Sequence, residues 1–312
     1  MLTFTPDGRS VLVANEGEPS ADYETDPEGS VTIVDAVTFD SEQARFAAGK
    51  DYEDVRVFGP GASPAQDFEP EYIAADPGGR LAYVTLQEAD AVAILDLKQR
   101  RFRSVRSLGL KDWGARDYDG FSEEVRAGSL PLDPTALPAA QRSALSRLNV
   151  TNTAGDDDGD GDYDRLLTFG GRSMSVLDDA LNVRYDTGAE LERETLAGTP
   201  SLFDADHGPA LEPDNRSDDK GPEPEGVAVG AVGGRQYAFL GLERHSGIVA
   251  YDLEEEPGRA SLAALAHSRP IDRGPEGIAF VPASDSPSGV PLLLVTNETT
   301  STIGVWQVAP AG

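Results

Sequence analysis

GPEPEGVAVGAVGGRQYAFLGLERHSGIVAYDL, residues Gly221 to Leu253, reads as strand, turn, strand, acidic turn, strand. The apolar run Val227–Val229 meets a Gly-Gly turn, Tyr237–Leu240 follows, and Ile248–Asp252 closes the unit after Glu243. Short apolar runs between turn signals are strands rather than helices. The same plan returns at Pro70–Leu97 (PEYIAADPGGRLAYVTLQEADAVAILDL), at Gly274–Val308 and at Leu2–Asp35, where Gly17–Gly29 splits it. A partial unit is read in Leu166–Gly170 and Ser173–Asp178. Antiparallel units recurring about every 40 residues are the mark of propeller blades. The expectation is therefore an all-β β-propeller in one domain, residues 1–312, with about five blade-like units and ring closure left open. Long insertions fall at 98–165 and 186–221. Outer strands are expected at Val55–Phe58 and at Phe102–Leu108, whose alternating basic residues suit an edge facing water. Ala36–Asp54 has room for a short helix, and Asp133–Leu148 is helix-like from Pro138.

Composition narrows the function. With 26 Lys and Arg against 55 Asp and Glu the formal net charge is −29, which argues against nucleic acid as a partner and favours divalent cations. A solvated acidic surface accounts for part of that excess. The absence of cysteine excludes disulfides, thiolate metal sites and cysteine nucleophiles. No apolar run is long enough to span a membrane, and no leader precedes the first strand. Met1 falls directly on a strand, so the chain reads as starting inside a larger architecture.

The sharpest local motif is DDDGDGDYD, in which Asp156, Asp158, Asp160, Asp162 and Asp164 alternate with other residues and Gly161 allows a sharp bend. This is the front of an EF-hand-like calcium loop, but Leu167 stands where the bidentate Glu belongs, so a shorter Asp-rich calcium loop is expected. The alternative is an unliganded acidic turn. A second constellation comes from the repeats: Glu71, Glu225 and Glu276 follow Pro at the start of a first strand, and Glu16, Glu88, Glu243 and Glu298 sit in the turn after a second strand. In a propeller these positions share one channel mouth. They then form either a ring of cation ligands or a set of blade caps accepting backbone N–H groups. Asn15, Asn297, Arg244 and His245 are expected around the same mouth, with Arg244 as a salt-bridge partner or an anion contact suited to phosphate. The three histidines, His207, His245 and His267, show no HExxH spacing, and no GxSxG is present. Arg116–Glu124 (RDYDGFSEE) is a plug, a further source of ligand oxygens or a surface loop.

LTFTPDGRSVLVANEGEPS, GPGASPAQDFEPEYIA, ARDYDGFSEE, DDDGDGDYD, RSDDKGPEPEGVAVG and GLERHSGI together resemble the secreted bacterial choice-of-anchor I proteins, relatives of the mesenchyme-specific cell-surface glycoprotein of biomineralising animals. The resemblance implies a propeller of the YVTN or amine-dehydrogenase-like kind, exported and often surface-anchored; some members are labelled alkaline phosphatases. Family members carry further blades ahead of the position of Met1 and a strand-bearing segment after that of Trp113, which this chain lacks. The expected function is an extracytoplasmic calcium-binding scaffold or binding module, with divalent cations and a phosphate or cell-surface ligand as partners. The alternative is a metal-dependent phosphohydrolase at the channel mouth, in which Arg244 steadies the phosphate.

Overall fold

Pro-Glu opens three of the repeats, and in each it breaks the strand pairing in the same way. Pro70 pairs with Leu86 and Ile73 with Val84; Pro224 pairs with Leu242 and Val227 with Leu240; Pro275 pairs with Asn297 and Ile278 with Val295. Two residues therefore oppose one, a β-bulge, and the glutamate always lies within it. Proline has no N–H to give to the ladder, which makes this the natural place for a break. In two repeats a threonine opposite the bulge accepts the N–H that the ladder leaves over: Thr85 from Tyr72 at 3.0 Å and Thr296 from Gly277 at 2.8 Å.

A computed structural model describes residues 1–20, 24–47, 52, 55–57, 62–87, 89–109, 148–152, 155–168, 170–254 and 259–310. The chain divides into two compact units, Met1–Lys111 and Asp112–Gly312. It is all-β, and its sheets are antiparallel, up-and-down blades of the β-propeller class.

The first unit holds two four-stranded blades. One runs β1 (Leu2–Phe4), β2 (Ser10–Asn15), β3 (Ser30–Asp35), β4 (Ser41–Arg45); the other runs β5 (Pro70–Ala75), β6 (Leu81–Leu86), β7 (Ala91–Asp96), β8 (Arg101–Ser107). Leu12, Val31, Phe68, Val84, Leu86 and Leu95 are fully buried between them. Phe46 stacks on Phe102 at 4.2 Å and meets the edge of Phe68 at 5.1 Å. A short helix, α1 (Pro64–Asp67), is fixed by a capping box between Ser63 and Gln66.

Two expectations about this unit are corrected. The outer strand of the first blade is Ser41–Arg45, within the stretch given room for a helix, and the described part of Val55–Phe58 has no strand. The reason lies in Asp35, whose Oδ1 accepts from Val37 N at 2.9 Å and Thr38 N at 2.8 Å, so the chain reverses at once. Asp96 and Asp252 act likewise, accepting from Gln99 N at 2.8 Å and Glu254 N at 2.9 Å. The Asp ending these third strands is therefore a turn device.

The second unit holds the ribbon β9 (Ser175–Leu177) and β10 (Val183–Asp186), the helix α2 (Glu190–Gly198), the blade β11 (Pro224–Val232), β12 (Arg235–Leu242), β13 (Gly247–Asp252), β14 (Ser261–His267), and the three-stranded sheet β15 (Pro275–Val281), β16 (Leu292–Asn297), β17 (Thr302–Gln307). The ribbon does not use Leu166–Gly170 as expected, because the carbonyl of Leu167 pairs with Thr151 N at 2.9 Å. Leu191 of α2 packs on Leu242, Val249 and Tyr251 in one cluster. Phe239 stacks on Phe280 at 5.6 Å in the next, and Gly230 makes room, since a Cβ there would stand 2.2 Å from the Phe280 ring. Burial at this density makes a Leu242→Ala change cost about 2–5 kcal/mol. Arg116–Glu124 and the helix-like Asp133–Leu148, apart from Leu148, lie outside the described residues.

Candidate functional site

The insertion at 186–221 delivers half of a polar site. A buried ion pair anchors it: Arg172 Nη1 lies 3.0 Å from Glu192 Oε1 on α2, and Arg172 Nη2 donates to the carbonyls of Ser217 at 2.9 Å and Asp219 at 2.5 Å. From this clamp the chain turns through Gly221 and Glu223, both with positive φ, into β11. Glu243 N donates to Glu223 O at 2.9 Å, so the start of β11 and the turn after β12 are stitched together.

Carboxylate oxygens of Glu223, Glu225 and Glu243 converge within 4.8 Å of one another. Glu223 and Glu243 are 5% and 4% exposed, which makes their charge expensive unless it is balanced. For Glu223 it is balanced: Arg244 Nε lies 2.5 Å and Arg216 Nη2 3.1 Å from Oε2, and Lys220 Nζ lies 3.3 Å from Oε1. Burial alone pushes Glu223 up, but Arg244, Lys220 and Arg216 outweigh it and hold the group below the ordinary carboxylate range. Glu243 has weaker partners, Arg244 Nη2 at 3.4 Å and His207 Nδ1 at 3.2 Å. Burial first, then repulsion from Glu223, pushes Glu243 up to about 7, and Glu276 adds to the rise. The cluster thus holds one fixed negative charge beside one that titrates near neutral pH.

The rest of the shell is polar. Arg244 Nη1 reaches Asp206 Oδ1 at 3.5 Å and the His207 ring at 2.9 Å. Burial, and then Arg244, pull His207 below its usual value, so it is neutral at pH 7. Arg269 Nη2 donates to the carbonyls of Asp206 at 2.7 Å and Arg244 at 2.9 Å, while Arg273 Nη1 donates to His207 O at 2.9 Å. These two arginines hold the insertion against the turn.

A second acidic group lies in Asp156–Asp164. Oxygens of Asp156, Asp158 and Asp164 come within 4.8 Å of one another, while Asp160 and Asp162 stand outside that group. Asp156 closes the loop itself, accepting from Gly159 N at 2.7 Å and Gly161 N at 3.1 Å, and Asp164 accepts from Asp157 N at 2.8 Å. Gly155, at φ 111°, is required beneath it, since a Cβ would lie 2.4 Å from Arg165 O. Asp157 faces outward in a bidentate pair with Arg165 at 2.6 and 2.8 Å.

Of the residues expected around one mouth, those of the second unit come together in part. Glu225 and Glu243 meet directly, Glu276 acts on Glu243 and Glu298 on His207 by charge. Glu16 and Glu71 belong to the first unit, and Glu88 lies outside the described residues. His245 departs from the expectation: it is fully buried, with Nε2 2.8 Å from Thr199 Oγ1 just beyond α2. Asn297 is buried too, and Asn15 donates to Ser30 at 3.1 Å and Thr32 at 2.8 Å as a strand-end tie. Sequence reading missed Glu223, Asp206, Arg216 and Lys220. One signal was present for the first: Gly221-Pro-Glu-Pro-Glu-Gly carries a Pro-Glu pair more than Gly274-Pro-Glu-Gly.

The choice-of-anchor I domain model matches residues 1–126 and 114–256. The chain belongs to the choice-of-anchor I family. Both acidic groups lie inside the choice-of-anchor I match, and β15–β17 lie beyond it. Gigasin-3a of Magallana gigas is 32% identical over an alignment of 193 residues that covers 55% of this chain and 68% of that protein. The mesenchyme-specific cell surface glycoprotein of Strongylocentrotus purpuratus is 27% identical over 112 residues, 32% of this chain and only 14% of that protein. Among solved structures, the Cps50 (Swd1) β-propeller domain of Myceliophteria thermophila aligns over 99% of this chain and 83% of its own at 12% identity and TM-score 0.41. The periplasmic gluconolactonase PpgL of Pseudomonas aeruginosa aligns over 97% and 70% at 16% identity and TM-score 0.40.

Proposed function

We propose that this choice-of-anchor I chain is an extracytoplasmic binding or scaffold module that takes up calcium, with the Asp156 loop as its principal site and the Glu225–Glu243 group as a second. The observation that carries the reading is the convergence of Asp156, Asp158 and Asp164 in a loop whose turns are closed by Asp156 itself. Hard oxygens gathered within a few residues of chain are what calcium requires, and carboxylates so close repel one another unless a cation sits among them. The cell-surface name of the sea-urchin relative supports a location outside the cytoplasm. Among the described residues, no helix is long and apolar enough to cross a membrane.

The phosphohydrolase alternative uses the same carboxylates, with Arg244 as its anion contact. Arg244 is instead engaged by Glu223, Glu243 and Asp206, an arrangement that favours balancing buried acids over clamping phosphate. One experiment separates the two. Calcium added to chelator-treated chain is expected to raise the melting temperature, as a ligand of the native state must, by about 2.7 kcal/mol of stability at a hundredfold excess over Kd. Hydrolysis of p-nitrophenyl phosphate is expected to stay at background with calcium, magnesium or zinc. Turnover that disappears in Glu243→Gln would overturn the scaffold reading.

A further inference from the structure

The first unit contains a cavity of about 620 Å³ with a lining unlike the rest of this acidic chain. Arg45 of β4, Arg101 and Arg103 of β8, Tyr52, Asp96 and Gln99 surround it. The cations have a source in the sequence: Lys98, Arg100, Arg101, Arg103, Arg106 and Lys111 follow one another between Asp96 and Asp112 with no carboxylate among them. A chain of net charge −29 that concentrates cations in so short a stretch presents a local field opposite to its own.

The guanidinium groups are available. The Arg103 side chain makes no ion pair or hydrogen bond among the described residues. Arg101 is held by a neutral partner, Gln99 Oε1 at 2.7 Å. Arg45 donates to the neutral Gln43 Oε1 at 2.5 Å and pairs with Glu28 at 3.2 Å, but the Arg45 and Glu28 side chains are 54% and 47% exposed, and such a pair is worth little. A bulge in the pairing between Ile94 and Leu95 leaves Arg103 without a partner residue on β7, between Phe102 and Ser104. Below, Phe102 is locked by its stack on Phe46, so the floor is rigid.

The lining also contains Asp96. Among the described residues only one of its oxygens has a partner, the Gln99 N–H at 2.8 Å. A purely anionic ligand would be repelled by that carboxylate, whereas a ligand with hydroxyl groups would donate to it. Tyr52 adds an aromatic side chain at the wall, held by the Ala47 N–H at 3.1 Å and by the edge of Phe68 at 5.1 Å. We propose that this cavity binds an acidic oligosaccharide, its sulfate or carboxylate groups taken by Arg45, Arg101 and Arg103 and its hydroxyls by Asp96 and Gln99. Guanidinium meets both oxyanions in bidentate fashion, and the volume falls in the range of small-ligand pockets. The site lies in the other unit from the acidic clusters and does not depend on calcium.

The test uses the full chain and a heparin-type sulfated tetrasaccharide, titrated calorimetrically at low and at physiological salt. Binding is expected, weaker at high salt, with Arg101→Gln and Arg103→Gln each reducing affinity roughly tenfold while the melting temperature stays unchanged. Asp96→Asn keeps the turn and is expected to weaken the tetrasaccharide but tighten inorganic sulfate, a split that a structural role would not produce. Absence of binding at low salt, equal binding of a neutral backbone that is both desulfated and carboxyl-reduced, equal binding of a Glu-rich peptide of matched charge, or indifference to both Arg variants would each overturn the proposal.

Discussion

The two acidic groups of the second unit solve the same electrostatic problem in opposite ways. Asp156–Asp164 is local and accessible, and it satisfies its oxygens with backbone N–H groups from the loop's own turns. Glu223, Glu225 and Glu243 come from one repeat, are largely buried, and rely on Arg216 and Lys220 of the insertion and on Arg244. A loop of the first kind can accept a cation without losing its fold. A cluster of the second kind has cations built in, so its charges serve stability before they serve ligands.

The buried group should therefore be the fragile one. Glu223→Ala leaves three cations facing each other and is expected to cost about 3–5 kcal/mol in urea denaturation, as for other half-removed buried pairs. The neighbouring turn should set the acid limit. Burial, with His267 and Arg269 adding, pulls His245 down to about 3, so its contribution is full above its ordinary 6.5 and is lost as pH falls toward 3. The loss is on the order of 4 kcal/mol, and His245→Gln should flatten that limb of a stability-pH curve.

Glu243 has the opposite sign. Raised from 4.5 to about 7, it keeps its proton longer in the folded chain, so its contribution is present below pH 4.5 and lost as pH rises through 7. Glu243→Gln should match the parent near pH 4.5 and exceed it at pH 8 by on the order of 1–3 kcal/mol. If the variant is instead less stable at pH 8, the contacts to Arg244 and His207 outweigh the burial. In the exposed loop, Asp156→Asn without metal should cost only about 1 kcal/mol, because Asn still accepts one N–H.

The blades were legible because strand periodicity and turn residues are local: Gly221–Leu253 and its copies resolve into strands close to where the runs place them. The bulges at Pro-Glu were not, although proline's missing N–H states the reason once the pairing is seen. The outer strand Ser41–Arg45 was missed because it is mostly exposed and carries no apolar alternation to read. In the site, repeat alignment found Glu225 and Glu243, which recur, and passed over Glu223, Asp206 and Arg216, which do not. Residues brought together by the Arg172–Glu192 clamp and by Arg269 and Arg273 leave no spacing in the chain to find. His245 misled for the converse reason: adjacency to Arg244 suggested a shared role, but the turn sends it to the other side, against Thr199.

The central claim is that the exposed loop, more than the buried cluster, takes up calcium. The direct test is the calcium-dependent shift in melting temperature of the parent, Asp158→Asn and Glu225→Gln, each first stripped with chelator. The account predicts a rise in the parent that Asp158→Asn abolishes and Glu225→Gln largely retains. No rise in the parent at millimolar calcium, or a rise lost only in Glu225→Gln, would contradict it.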